Sequence, residues 1–181
     1  MSTLTSPKYL KSLLSRHGFS FSKSLGQNFL IDENILNKIV QGAQLASDDY
    51  VLEIGPGVGT LTTALARHAA KVVAVEIDRS LKPILDETLE GFNNVEVVYG
   101  DILKLDLEEL TKDRLEGRPF KIVANLPYYI TTPIIMRFLE NDCSYTSITV
   151  MIQQEVAARM AAGPGSKEYG ALSVAVQFYT R

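Results

Sequence analysis

The feature that most constrains this chain is a repeat of form. A short apolar run ends in a glycine-rich turn, residues 50–59 (YVLEIGPGVG), and a helical stretch, TLTTALARHA, follows at once. The same alternation then recurs. KVVAVE (71–76) precedes RSLKPILDETLEG, which Asp78 opens; NVEVVYG (94–100) precedes LKLDLEELTKDRLEG. FKIVANL (120–126) precedes TTPIIMRFLEN, and YTSITVMI (145–152) precedes QQEVAARMAAG. Five β-rich runs separated by helices predict a parallel sheet with helices on both faces. The runs are apolar nearly throughout, as strands buried on both faces must be. Ahead of them, residues 8–17 predict a short helix, and Asp32 is an N-cap for a helix over ENILNKIVQGAQ. The last segment, ALSVAVQFYTR, fits either a strand by its β-branched content or a buried helix by its length.

Composition narrows the class. With 181 residues, 46% apolar and 22% charged, the chain suits one soluble globular domain with a sizeable core. It excludes a disordered chain, a collagen-like repeat and a coiled coil. No apolar run is long enough to span a bilayer, and no signal-peptide core is present near the start. A single cysteine, Cys143, excludes an internal disulfide framework and a Cys-rich zinc site, so no metal is expected and the default compartment is cytoplasmic. The net charge of −3 is unevenly spread. Residues 1–31 carry Lys8, Lys11, Arg16 and Lys23 and no acid, leaving 14 cations against 21 acids in the rest. A basic arm before an acidic body reads either as a solvated tail or as a contact for a polyanion.

The glycine turn Glu53-Ile54-Gly55-Pro56-Gly57-Val58-Gly59 has the form GxGxG. Glycine permits positive φ and close approach of a ligand, and the following helix offers free N–H groups. Glu76 ends the second apolar run, 21 residues after Gly55, where a carboxylate can accept from both hydroxyls of a ribose. Asp101 ends the third, where an acid can accept from an exocyclic amine such as adenine N6. All three features fall at carboxyl ends of strands, where open α/β sheets bind ligands. Together they call for an adenosine with free ribose hydroxyls. No phosphate-binding GxxxxGK[ST] exists, which disfavours a triphosphate.

The fourth strand ends in Asn125-Leu126-Pro127-Tyr128, with Tyr129 next. Asn125 offers an amide oxygen, Pro127 fixes a corner that presents the Leu126 carbonyl, and Tyr128 offers a flat face. These groups suit a planar amine: two acceptors for its N–H groups and a ring for its π-face. The alternative is an Asn-x-Pro turn whose aromatics only cap the core.

FSKSLGQNFL (21–30), EIGPGVGTLT (53–62), VEID (75–78), GD (100–101), NLPYY (125–129), QQEVAARM (153–160) and YGALSV (169–174) occur in this order. On these motifs the chain resembles the ribosomal RNA adenine dimethyltransferases, the KsgA/Erm family. It is most similar to the small-subunit branch. The resemblance implies a Rossmann-like S-adenosylmethionine-dependent methyltransferase fold. It implies that Gln27, Asn28 and Leu30 line the methionine end of the cofactor, with Gly55 and Gly57 approaching from the loop. Glu76 would bind the ribose with Ile77 packing on adenine, and Asp101 would read the adenine amine with Ile102 beside it. Asn125 would lie between cofactor and target base, and Tyr128 would stack on that base. Lys23 would contact phosphate.

The implied activity is transfer of methyl from S-adenosylmethionine to N6 of two adjacent adenosines in small-subunit (16S-type) ribosomal RNA, with a role in ribosome biogenesis. Asn125, Leu126, Pro127 and Tyr128 would carry the chemistry in a cytoplasmic monomer whose partner is ribosomal RNA or the immature small subunit. The alternatives are a large-subunit methyltransferase of the macrolide-resistance type and a non-catalytic nucleic-acid-binding factor. A nicotinamide dehydrogenase is disfavoured by the GxGxG spacing. Residues 1–48 are expected to form the basic arm with the SLGQNFL motif, and 49–181 the core. The family fold has seven strands and a helical domain. The expectation here is five strands in order 3-2-1-4-5 with strand 5 at an edge. Strands 6 and 7 and the helical domain are expected to be absent, as in a truncated chain.

Overall fold

The computed structural model describes residues 4–19 and 29–180. Five parallel strands form one sheet in the order β3-β2-β1-β4-β5, as the sequence predicts. They are β1 Tyr50–Ile54, β2 Lys71–Glu76, β3 Val95–Tyr99, β4 Phe120–Asn125 and β5 Tyr145–Met151. Helices α1 Pro7–Arg16 and α2 Glu33–Ala43 precede the sheet. The connections carry α3 Thr60–Ala66, α4 Lys82–Thr88, α5 Leu107–Arg114 and α6 Thr131–Leu139, and α7 Gln154–Ala161 and α8 Ala171–Tyr179 follow β5. The ambiguous last segment is therefore helical, with Leu172, Ser173 and Ala175 on its buried side.

Register follows the apolar runs. In β1, Leu52 sits between Val73 of β2 and Ile122 of β4, and all three are buried. The outer strands β3 and β5 are only half-buried, as sheet edges are. One face packs α5, α6 and α8 around Phe120, Ile134 and Phe138. The other face packs α2 and α3 around Val51, Leu61, Leu65 and Val72. Leu10, Leu13 and Leu14 of α1 join Val58, Leu81, Ile84 and Leu85 in a third cluster, beneath the glycine turn.

Local chemistry sets the helix starts. Asp32 accepts from Asn34 N at 2.8 Å and Ile35 N at 3.1 Å, satisfying two orphan donors of α2. Asp106 does the same for α5, accepting from Glu108 N at 2.9 Å and Glu109 N at 3.1 Å. The stretch after β2 differs from one continuous helix. Asp78 caps a 3-10 turn over Arg79–Leu81, and α4 begins only at Lys82. Pro83 lies in the first turn of α4, where its missing N–H is tolerated.

Candidate functional site

The carboxyl ends of β1, β2, β3 and β4 open into one cleft. In the glycine turn, Gly55, Gly57 and Gly59 all take positive φ, at 70°, 60° and 86°. A Cβ on Gly57 would lie 3.1 Å from the Phe29 ring, and one on Gly59 would meet Thr88 Oγ1 at 2.9 Å. Both conformation and space therefore require glycine. The turn delivers its backbone to the cleft and starts α3 at Thr60.

Glu76, at the end of β2, is 4% exposed and lines the cleft. Its Oε2 accepts from Gly57 N at 3.1 Å, and its Oε1 from Asp78 N at 2.8 Å. One carboxylate thus ties the glycine turn to the loop after β2. Each of its oxygens keeps acceptor capacity for a ligand hydroxyl. Burial raises its pKa, against the lowering effect of the Asp78 and Gly57 N–H groups.

Asp101 follows β3 and also lines the cleft. Its Oδ1 accepts from Leu103 N at 2.9 Å, and Lys104 Nζ lies 3.5 Å from Oδ2. Ile102 is buried and Ile77 half-exposed, and both line the same space. Those two apolar side chains can flank a flat ring, and Asp101 supplies an acceptor at its edge. Leu30 closes the cleft from the N-terminal side.

Asn125 ends β4, and Leu126 and Pro127 continue along the wall. Leu126 N donates to Met151 O at 3.2 Å, which pins the corner to β5. The Pro127 carbonyl accepts from Ile130 N at 3.3 Å and from Thr131 Oγ1 at 3.0 Å. A 3-10 turn, Tyr128–Ile130, results. Of its two tyrosines, Tyr129 lines the cleft and Tyr128 does not.

The structure thus brings together Leu30, Gly55, Gly57, Glu76, Ile77, Asp101, Ile102, Asn125, Leu126 and Pro127. Tyr128 stands beside them, exposed. Gln27, Asn28 and Lys23 lie outside the described residues. Among the described residues no group of three or more potential metal ligands occurs.

Among the cleft residues to which the sequence reading gave no role are Phe29, Glu53, Thr60 and Tyr129. Glu53 is the most unusual. It lies in the buried strand β1, is 1% exposed, and leaves Oε2 without a hydrogen bond. The buried hydroxyls of Thr60 and Thr62 are likewise unpartnered. Burial pushes the Glu53 carboxyl up to about 8. Thr62 is near enough to offset part of this without a well-formed hydrogen bond, and the Glu76 charge adds to it. At neutral pH Glu53 is therefore largely a neutral acid that can donate as well as accept. A carboxylate inside an otherwise apolar strand was the available signal.

Known proteins give this geometry a context. A family profile described as ribosomal RNA adenine dimethylase matches residues 18–181. The chain is 59% identical over 179 residues to the ribosomal RNA small subunit methyltransferase A of Alkaliphilus metalliredigens, covering 99% of this chain and 62% of that protein. It is 58% identical to the protein of the same name from Clostridioides difficile, with the same two coverages. The chain thus spans 62% of the length of these curated relatives. Among solved structures, a dimethyladenosine transferase from Plasmodium falciparum superimposes with a TM-score of 0.69 at 34% identity, over 81% of this chain and 50% of that one. The 23S rRNA methyltransferase ErmE gives a TM-score of 0.64 at 37% identity, over 73% of this chain and 50% of that one.

Proposed function

We propose, from the premise that this chain belongs to the ribosomal RNA adenine dimethylase family, that its cleft transfers methyl groups from S-adenosylmethionine to N6 of adenosine in small-subunit ribosomal RNA. The observation that carries this reading is the convergence on one cleft of two acidic strand ends, the glycine turn and the Asn125–Pro127 corner. The identity to small-subunit methyltransferases, 59% and 58%, favours that RNA over the large-subunit alternative.

The residues fit the cofactor. Glu76 keeps acceptor capacity for ribose hydroxyls while bracing Gly57. Ile77 and Ile102 flank the space for a purine, and Asp101 supplies an acceptor for its amine. The cramped, positive-φ Gly57 lets the turn approach the methionine end. When bound, S-adenosylmethionine supplies an electrophilic methyl group on a sulfonium.

The protein's part is to place and polarise the acceptor amine. The lone pair of adenine N6 is delocalised into the ring, so the amine is a weak nucleophile. The Asn125 amide oxygen and the Leu126 carbonyl accept its N–H groups and favour a more tetrahedral nitrogen. They also stabilise positive charge developing there. No strong base is needed, because the N–H becomes acidic once the bond has formed. Alignment of the two reactants supplies much of the remaining rate. The base must leave its stack to enter, and Tyr128, in the turn after Pro127, holds it there by stacking. Placement of two methyl groups on each of two adjacent adenosines follows if the same corner accepts the once-methylated amine. The protein acts as a cytoplasmic monomer on RNA of the immature subunit, a role in ribosome biogenesis.

The test is full-length protein incubated with small-subunit RNA and S-adenosylmethionine, with nucleosides read by mass spectrometry. N6,N6-dimethyladenosine supports the reading. Methyl groups on any other base sink it.

A further inference from the structure

Helix α6 packs on the core through Ile134, Ile135 and Phe138. Arg137 lies within the same stretch and is only partly exposed. None of the ion pairs among the described residues includes it. Its Nε is buried without a hydrogen-bond partner. A guanidinium held in this way costs stability, and an apolar side chain would serve packing there as well. What Arg137 does hold is backbone. Its Nη1 donates to Leu103 O at 2.7 Å, and its Nη2 donates to Leu105 O.

Those two carbonyls belong to the turn that carries Asp101. Leu103 N donates to Asp101 Oδ1 at 2.9 Å, so Leu103 orients the carboxylate while Arg137 holds Leu103 by its carbonyl. Lys104 N and Leu105 N donate to Asp101 O at 2.8 and 3.0 Å and close the turn. Leu105 packs against Gly100, where a Cβ would meet Leu105 Cδ2 at 3.0 Å. Lys104 Nζ, 3.5 Å from Asp101 Oδ2, is a weak tether because its side chain is mostly in water. The other end of α6 is fixed too. Thr131 is buried, and its Oγ1 donates to Pro127 O at 3.0 Å. Helical rise sets Arg137 about 9 Å along the axis from Thr131. One helix thus joins the Asn125–Pro127 corner to the Asp101 turn.

We propose that Arg137 is a positioning residue that sets the cofactor site's preference for a 6-aminopurine. By gripping Leu103 and Leu105 it holds Asp101 with Oδ2 left for the exocyclic amine. This rests on the S-adenosylmethionine reading above, and adds to it a residue that does not itself line the cleft.

The test uses the full-length protein with Arg137→Met, Arg137→Lys and Asp101→Ala variants. Calorimetry gives Kd for two probes, S-adenosylhomocysteine and the analogue whose purine lacks the 6-amino group. The ratio of the two values reports the amine contact, because loosened packing elsewhere moves both together. Steady-state methylation of small-subunit RNA gives kcat and the KM for S-adenosylmethionine.

The wild type should prefer the amine by about tenfold or more, as befits a hydrogen bond to a charged acceptor, and Asp101→Ala should bring the ratio close to one. Arg137→Met should bring it to about threefold or less, by weakening S-adenosylhomocysteine rather than the analogue. KM for S-adenosylmethionine should rise about tenfold, with kcat within about threefold. Arg137→Lys keeps a cationic donor but loses the fork, so its ratio should be intermediate, and it decides the matter if the methionine variant does not fold. The inference is overturned if the folded variants keep the wild-type ratio, whether or not both affinities fall. It is equally overturned if kcat drops while KM and the ratio stay put. A wild type with no preference for the amine defeats the cofactor reading and the inference with it, a result distinct from a discriminating wild type indifferent to Arg137.

Discussion

The acids at the amino end of the sheet and the two buried acids at its carboxyl end are held in opposite ways. At the amino ends of the strands the acids have cations. Asp49 meets Lys121 Nζ at 2.8 Å, Glu96 meets Arg114 at 2.6 Å, and Lys71 lies 3.9 Å from Glu96 and 3.6 Å from Glu116. Glu116 also accepts from the Tyr50 hydroxyl at 3.0 Å. At the carboxyl ends Glu53 and Glu76 are nearly inaccessible, and no cation pairs with either among the described residues. The shifts follow. Burial raises Glu53 and Glu76. For Asp49 burial is outweighed by the Ala46 N–H and Lys121, and its pKa falls. Buried acids without cations cost stability, so their position at one end of the sheet marks where the fold serves a ligand.

The largest break of this contrast is expected at Asn125. Asn125→Ala removes the proposed polarising acceptor and leaves both buried acids in the sequence. It should lower kcat on RNA by about 100-fold or more, with the cofactor Kd within about threefold by calorimetry. Next comes Glu76→Ala, which removes the proposed ribose acceptor and frees Gly57 N and Asp78 N together. The cofactor Kd should rise by roughly 50-fold, in keeping with the loss of charge-assisted hydrogen bonds.

Glu53 sharpens the comparison through pH. Its folded pKa of about 8 lies above the ordinary value of 4.5. Stability from the neutral form is therefore fully present below about 4.5 and lost as pH rises through about 8. Glu53→Gln keeps a neutral group of the same shape. The fall of Tm between about pH 5 and 8 expected of the ligand-free wild type should flatten in this variant, and an unchanged slope would show that Glu53 does not titrate in this window. The smallest effect belongs to the opposite end. Lys121→Met breaks the ion pair with Asp49, and should cost about 1 kcal/mol in denaturant unfolding while leaving cofactor affinity unchanged.

Much of this was legible beforehand, for physical reasons. The parallel sheet and the cleft's place follow from the βα alternation, and the strand order from the family resemblance. Glu76 and Asp101 stand out since each ends an apolar run. Glu53 interrupts an apolar run, but its burial without a cation depends on what β2 and α3 place around it. Phe29 was hidden for a similar reason: its contact with Gly57 joins segments far apart in sequence. Likewise ALSVAVQFYTR carries both strand and helix signals, and packing of Leu172 and Ala175 on the main core settles it as α8.

The central claim is that the Asn125–Pro127 corner and the acid-lined cleft act together on adenine N6. The most direct test is single-turnover transfer of labelled methyl from S-adenosylmethionine to a hairpin with two adjacent adenosines, comparing full-length wild type with Asn125→Ala. The account predicts N6-methylated adenosine from the wild type, with the variant slowed by about 100-fold while still binding the cofactor. Equal rates for the two proteins, or label on any atom other than adenine N6, would contradict it.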